Sequence, residues 1–140
     1  MTNKEISSTF NEMKILFNLK KDIKLTVTNL NHFGEHTKHK TTIICNRPKH
    51  KFHIKVISYE IRLDSKIVEV SEYEDILSPI IRTLIHEITH HLKYINHTKK
   101  FKRRYFQLCA RWCAYCIGEN EKEVLGNKDI VKYINRFKLG

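Results

Sequence analysis

The segment Ser78 to Leu92, with the sequence SPIIRTLIHEITHHL, decides how the rest of the chain is interpreted. Ser78 and Pro79 are a typical helix start, because serine caps helix N-termini and proline is favoured at the first helical position. The apolar residues that follow recur at the spacing of one helix face: Ile81, Leu84, Ile85, Ile88 and Leu92. The sequence therefore predicts an amphipathic helix from Pro79 to about Tyr94, at the centre of the core.

The chain before this helix predicts one helix followed by three strands. From Lys4 to Leu19, apolar residues return at helical spacing. The next segments are rich in β-branched and aromatic residues and predict strands: Ile23 to Val27, Thr41 to Cys45, and Phe52 to Leu63. The residues NRPK, Asn46 to Lys49, predict a turn that joins the second and third strands as a hairpin.

Two further expectations concern the third strand and the segment after it. The apolar residues of the strand change phase near Val56, which predicts a bulge or a break there. The segment from Ser65 to Asp75 is acidic within a basic chain, and we interpret it as a solvated lead-in to the helix at Pro79.

The remaining chain predicts helices only. Phe101 to Cys116 has the spacing of a long amphipathic helix that ends near Gly118, and a last helix is expected from Lys128 to Phe137. The order of helix, three strands and helices is typical of an α+β fold. With 140 residues, 41% hydrophobic and 29% charged, the chain is expected to form one domain over residues 1–140.

The sequence shows no feature of a membrane or secreted protein. No run approaches the roughly 20 apolar residues that span a bilayer, and the polar start at Met1 has no signal-peptide apolar region. We expect a soluble, intracellular monomer with reduced cysteines, cytoplasmic or, in a eukaryote, nuclear, without a membrane partner.

The residues His86-Glu87-Ile88-Thr89-His90 form an HExxH motif on the predicted central helix. Histidines four residues apart lie on one helix face and can bind the same metal ion. Zn²⁺ prefers neutral imidazole nitrogens, and a catalytic zinc keeps one position open for water. Glu87 would then act as the general base for that water. The alternative is a structural helix with surface histidines; the apolar surroundings and the nearby His97 favour the metal site.

The stretch from Thr83 to Phe101, TLIHEITHHLKYINHTKKF, resembles the active-site region of the SprT-like and YgjP-like zinc metallopeptidases. Their HExxH helix is followed by a third histidine that starts a His-[Gly/Ser]-x-x-Phe motif, here His97 to Phe101 with Thr98 as the second residue. The resemblance implies a minimal gluzincin-type fold, Zn²⁺ bound by His86, His90 and His97, and hydrolysis of protein or peptide substrates. It covers about Leu25 to Trp112.

Two other ligand arrangements are known for the third position of an HExxH zinc site. A metzincin motif needs a glycine after the second histidine, and this chain has Lys93 there. A thermolysin-like glutamate would have to come from a later helix, with three candidates: Glu119, Glu121 and Glu123. His97 is closer along the chain and is favoured.

The formal charge of +11 favours polyanionic partners. Basic residues concentrate in the predicted helix from Lys99 to Arg111: Lys99, Lys100, Lys102, Arg103, Arg104 and Arg111. SprT-like proteins are associated with proteolysis of DNA-bound proteins, so DNA is a candidate partner for this helix, and a solvated helix face is the alternative.

Two functions other than a peptidase also agree with the sequence. The chain could be a basic DNA-binding or interaction module whose zinc site is catalytically idle. A zinc hydrolase acting on other substrates is the second.

Several histidine, cysteine and tyrosine residues outside the motif have other expected roles. His91 lies about 100° round the helix from His90 and is expected outside the metal site. The histidines His32, His36 and His39 are expected in a polar loop rather than at a second metal. Cys109, Cys113 and Cys116 have iron–sulfur-like spacing but are expected on one face of a helix as packing residues. Tyr94 and Tyr105 are candidate hydroxyl donors to a reacting substrate, or packing residues.

Overall fold

The fold is a three-stranded sheet with six helices, in a computed structural model that describes residues 1–20, 22–47, 50–72, 75–94 and 96–137. For residues 43, 45–47 and 50–52 only the backbone is described. The elements in chain order are α1 (Asn3–Leu16), β1 (Ile23–Thr28), β2 (Gly34–Arg47), β3 (His50–Asp64), α2 (Ser65–Val70), α3 (Pro79–His91), α4 (Lys99–Ile117), α5 (Glu121–Gly126) and α6 (Lys128–Asn135). The α+β class and the predicted layout are confirmed.

The sheet has the strand order β1-β3-β2. β1 runs parallel to the last part of β3, from the pair Ile23 and Tyr59 to the pair Thr28 and Asp64. β2 is antiparallel to β3 from His50 to Leu63, which confirms the predicted hairpin. The predicted turn includes Pro48 and Lys49, which lie outside the described residues.

Two predictions about these strands were wrong. β2 begins at Gly34 and not at Thr41, and its register with β3 is continuous from end to end, without the bulge expected near Val56. The segment GEHTKHK from Gly34 to Lys40 contains no apolar residue, so only its pairing with β3 makes it a strand. The apolar phase of β3 changes because residues 53–57 of the strand are exposed on both faces and have no single side to bury.

The helices agree with the sequence except for two short ones. The acidic segment contains α2, which buries Val68 instead of being a solvated lead-in throughout; residues 73 and 74 of that segment lie outside the described part. α5 was not predicted, and Val124 is its only buried residue. Helices of six residues carry too few apolar positions to show a period.

The core lies where α3 packs against the sheet on one side and α4 on the other. Ile61 and Leu63 of β3 are fully buried in this cluster, together with Phe101 and Leu108 of α4. Ser78 accepts a hydrogen bond from the Ile81 N–H and caps α3, with Pro79 following it, as predicted. No helix in the described parts of the chain combines the length and apolar character that a bilayer span requires.

Gly34 lies where β2 packs closely against α3. A Cβ atom here would lie 2.8 Å from Cγ2 of Thr83 and 3.2 Å from the carbonyl oxygen of Arg62. Carbon atoms prefer separations of about 3.5–4.0 Å, so a side chain would push the strand and the helix apart.

We expect Gly34→Ala to lower the free energy of unfolding by about 1–3 kcal/mol, measured by urea denaturation. Thr83→Ser removes Cγ2 but keeps the hydroxyl that donates to the Pro79 carbonyl at 2.8 Å. The double variant should therefore recover part of the loss. Gly126→Ala is the control, because a Cβ atom there meets nothing within 4 Å. A Gly34→Ala protein as stable as the wild type would contradict this account.

A hydrogen-bond network around Glu60 connects all three strands on the outer face of the sheet. The Glu60 carboxylate accepts from Thr26 Oγ1 of β1 at 2.6 Å and from Arg62 Nε at 2.8 Å, and it lies 3.1 Å from His39 Nε2 of β2. The Thr26 hydrogen bond, followed by the Arg62 and His39 contacts, lowers the pKa of Glu60 from 4.5 to about 2.

Because the pKa of Glu60 is lowered by folding, its ionised form stabilises the protein above about pH 4.5, and this contribution is lost as the pH falls towards 2. We expect Glu60→Gln to lower stability at neutral pH, with the difference from wild type shrinking between these two pH values. Urea denaturation over this range measures it. Glu69→Gln, on the exposed side of α2, serves as control. A difference that stays constant down to pH 2 would refute the assignment.

Candidate metal centre

Three histidine nitrogens meet at one point beside α3. Nε2 of His86 lies 3.1 Å from Nε2 of His90 and 3.1 Å from Nε2 of His97, and the third distance is 3.2 Å. His86 and His90 are one turn apart on α3, and His97 comes from the connection to α4. The structure thus brings together the three side chains that the sequence selected. Among the residues that it describes, no other group of His, Cys, Asp or Glu forms such a cluster.

The hydrogen bond of His90 assigns its tautomer. Its Nδ1 lies 2.8 Å from the carbonyl oxygen of Tyr94, which can only accept, so Nδ1 carries the proton. The neutral ring therefore presents an unprotonated Nε2 to the cluster. Histidine ligands of metals are held in the same way by a backbone carbonyl or a carboxylate.

The connection between α3 and α4 places His97 opposite the HExxH helix. Lys93 takes a left-handed conformation with φ of 76°, which turns the chain sharply after α3. Thr98 then starts α4, because its side chain accepts the N–H of Phe101. These two features place His97 in the connection between α3 and α4, with its Nε2 close to those of His86 and His90.

Phe101 forms the floor of the cluster. Its ring is fully buried, and its centroid lies 5.1 Å from the ring of His86, 4.7 Å from that of His90 and 4.9 Å from that of His97. One aromatic ring thus limits the orientation of all three imidazoles. This contact gives a physical reason for the phenylalanine four residues after His97.

The donor set fits a zinc ion. Nitrogens about 2.0–2.1 Å from a tetrahedral zinc lie about 3.3–3.4 Å apart, close to the observed spacing. Burial, and then the charges of the other two histidines, lower the pKa of His86 to about 4, and burial also lowers the pKa of His90. Neutral imidazoles at pH 7 are the form that binds a metal.

Glu87 is buried next to this cluster, with 6% of its surface exposed. Burial, and to a smaller degree the charge of Glu35, raise its pKa to about 7. The side chain lines the same cavities as His86. A carboxyl group with this position and pKa is suited to exchange protons near neutral pH.

Two cavities meet at His86 and Glu87. The larger, of about 560 Å³, extends along the first half of α3. It is lined by His32, Phe33, Gly34, Pro79, Arg82, Thr83, His86, Glu87, Tyr105 and Phe137. The smaller, of about 440 Å³, contains the three clustered histidines and is bordered by Gly34, Glu35 and His36 of β2. Together they form an open cleft whose one wall is β2.

The sequence did not predict that His36 borders this cleft and contacts His91. Nε2 of His36 lies 3.1 Å from Nδ1 of His91, and both rings pack against Tyr59. The expectation of a polar loop was wrong for His36 and His39, which belong to β2, and His32 alone precedes the strand. Only the strand register, with His36 opposite Ile61, would have indicated this arrangement.

The other candidate residues lie elsewhere or act differently. Glu119, Glu121 and Glu123 follow the far end of α4, about 27 Å along that helix from His97. Tyr94 contributes its carbonyl oxygen to the site, whereas Tyr105 lines the larger cavity.

The cysteine prediction was correct for two of the three residues. Cys109 and Cys113 are buried in the core, and burial raises the pKa of both thiols to about 12. Cys116 is exposed and does not share their packing role.

Comparison with known proteins found no match: no family model, no curated protein and no solved structure is significantly similar to this chain. The resemblance to SprT-like and YgjP-like proteins therefore depends on the motifs from Thr83 to Phe101 alone.

We expect one zinc ion to bind per chain, measured by mass spectrometry of the native protein and by metal analysis after dialysis. His97→Ala should abolish stoichiometric binding without unfolding the protein, because its side chain is exposed. The matched control is His91→Ala, which changes a neighbouring histidine outside the cluster. Zinc binding that survives His97→Ala, or that is lost equally in His91→Ala, would contradict the ligand set.

Proposed function

We propose that this protein is a zinc-dependent metallopeptidase, with His86, His90 and His97 as ligands and Glu87 as general base. The observation that carries the proposal is the triangle of Nε2 atoms beside a buried carboxyl group, in an open cleft. A structural zinc site has four protein ligands and no need of such a base. The described residues offer three.

Each residue has a defined part in this reaction. Zinc in the site would polarise a substrate carbonyl and lower the pKa of a bound water. Glu87 would take the proton of that water and pass it on to the leaving amine. The Tyr94 carbonyl and the Phe101 ring position the ligands without contacting substrate. The low exposure of Glu87 limits its solvation and favours this exchange near neutral pH.

The substrate that fits the cleft is an extended peptide. β2 is an edge strand, and within the described chain no strand pairs with its outer edge. Peptides bind such edges through main-chain hydrogen bonds. Gly34, Glu35 and His36 place this edge beside His86 and Glu87, so a bound peptide would pass over the metal position. The SprT-like motifs support the same substrate class.

The proposal is tested by incubating the zinc-loaded protein with a diverse peptide mixture and identifying cleavage by mass spectrometry. Glu87→Gln should keep its zinc and lose activity by a factor of about 10² to 10⁴, the usual contribution of a general base. Glu69→Gln makes the same chemical change on an exposed helix and should keep full activity. Equal cleavage by Glu87→Gln and wild type, or zinc-dependent hydrolysis of other substrates without peptide cleavage, would contradict the proposal.

A further inference from the structure

The outer part of the β2–β3 hairpin projects from the body of the protein. β1 pairs with β3 only from Tyr59 onwards, and Tyr59 is opposite Lys38, so residues 39–47 and 50–58 form a two-stranded ribbon with Lys38 at its base. The ribbon is about 30 Å long at about 3.4 Å per residue. Its described side chains from Lys38 to Thr42 and from His53 to Ile57 are exposed. Nothing in the described chain covers either of its faces.

The ribbon is strongly basic. Between Glu35 and Glu60 the sequence has no acidic residue and six basic ones: Lys38, Lys40, Arg47, Lys49, Lys51 and Lys55. The stretch of sequence between Glu35 and Glu60, which contains the ribbon, therefore has a formal charge of +6, without an internal carboxylate to neutralise it. A surface of this kind attracts polyanions.

The strand register sorts the described lysines onto one face. Side chains of directly paired residues share a face of the sheet. The pairs Lys38 with Tyr59, Lys40 with Ile57, and Thr42 with Lys55 alternate with pairs on the other face. They continue the row of His36, which is paired with the buried Ile61. The lysine face of the ribbon, defined by Lys38, Lys40 and Lys55, is therefore continuous with the wall of the metal cleft.

Duplex DNA fits this surface in both shape and charge. The major groove is about 12 Å wide and admits a two-stranded β-ribbon. Lysines on one face can then contact phosphates and release counterions. The exposed isoleucines Ile44 and Ile57 lie on the same face, where they can contact sugars and bases.

Two other occupants fit less well. A second copy would bring two such hairpin stretches of charge +6 together, and lysines on an edge strand oppose such pairing. An anionic membrane would need one apolar face, but Ile54 and Val56 lie on the face opposite Ile44 and Ile57.

We propose that the β2–β3 ribbon is a DNA-binding arm, in which Lys38, Lys40 and Lys55 contact the phosphates of a duplex. This assignment is independent of the proposed peptidase activity. It also differs from the expectation based on the sequence, which placed DNA on α4. There, Arg104 is bonded to Gln107 and Arg111 pairs with Glu121, so two of the six basic side chains are already engaged.

The test is the affinity of the full chain for a fluorescein-labelled DNA duplex, measured by anisotropy at several salt concentrations. The triple variant Lys38→Gln/Lys40→Gln/Lys55→Gln should bind about tenfold more weakly or worse. The slope of log affinity against log salt should fall by about 2–3, since each lost phosphate contact removes about 0.9. The three side chains are exposed, so circular dichroism should show an unchanged fold.

Two variants with the same loss of charge serve as controls. Lys122→Gln/Lys128→Gln/Lys132→Gln lies on α5 and α6 and should bind almost as wild type. Lys99→Gln/Lys100→Gln/Lys102→Gln tests the α4 surface. Equal weakening in all three variants would show that only net charge matters and would overturn the proposal. Weakening confined to the α4 variant, tighter binding to phosphatidylserine vesicles than to duplex, or the absence of salt-dependent duplex binding would also overturn it.

Discussion

The packing of α3 between the sheet and α4 determines the geometry of the site. Five apolar residues of this helix are buried: Ile80, Ile81, Leu84, Ile85 and Ile88. Burying them fixes the rotation of the helix about its axis, and the stripe with His86 and His90 is left facing the cleft. Glu87 is then turned towards β2 and loses most of its solvent. The hydrophobic effect thus orients the ligands and also raises the pKa of the neighbouring carboxyl group.

Local features of the chain position the remaining parts of the site. A left-handed Lys93 and the Thr98 cap bring His97 back over the end of α3, and the Phe101 ring supports all three imidazoles from below. Gly34 lets β2 approach α3, so the edge strand borders the metal position. Each feature restricts a side chain before any metal binds. Such preorganisation reduces the conformational entropy that binding would otherwise cost.

The charge of the molecule is distributed unevenly around this cleft. Two basic surfaces flank the cleft. One is the ribbon, and the other consists of the exposed lysines at the start of α4, close to His97 in the sequence. Glu35 and Glu87, in contrast, lie within the cleft. A polyanion and an extended peptide would therefore occupy adjoining but chemically distinct surfaces. The two proposals concern separate sets of residues, and each can hold without the other.

The sequence by itself determined the α+β class, the long helices and the residues of the histidine cluster. Helical periodicity, caps such as Ser78, and the spacing of His86, His90 and His97 are local properties, so they can be read from neighbouring residues. Tertiary structure decided the rest. The polar segment from Gly34 to Lys40 became a strand only by pairing with residues of β3 that are 17 to 29 positions away in the sequence. That long-range pairing gave the cleft its wall, brought His36 to His91, and placed the lysines of the ribbon on one face. Neither the register of a strand nor the burial of its side chains follows from local sequence, because both depend on contacts between distant residues.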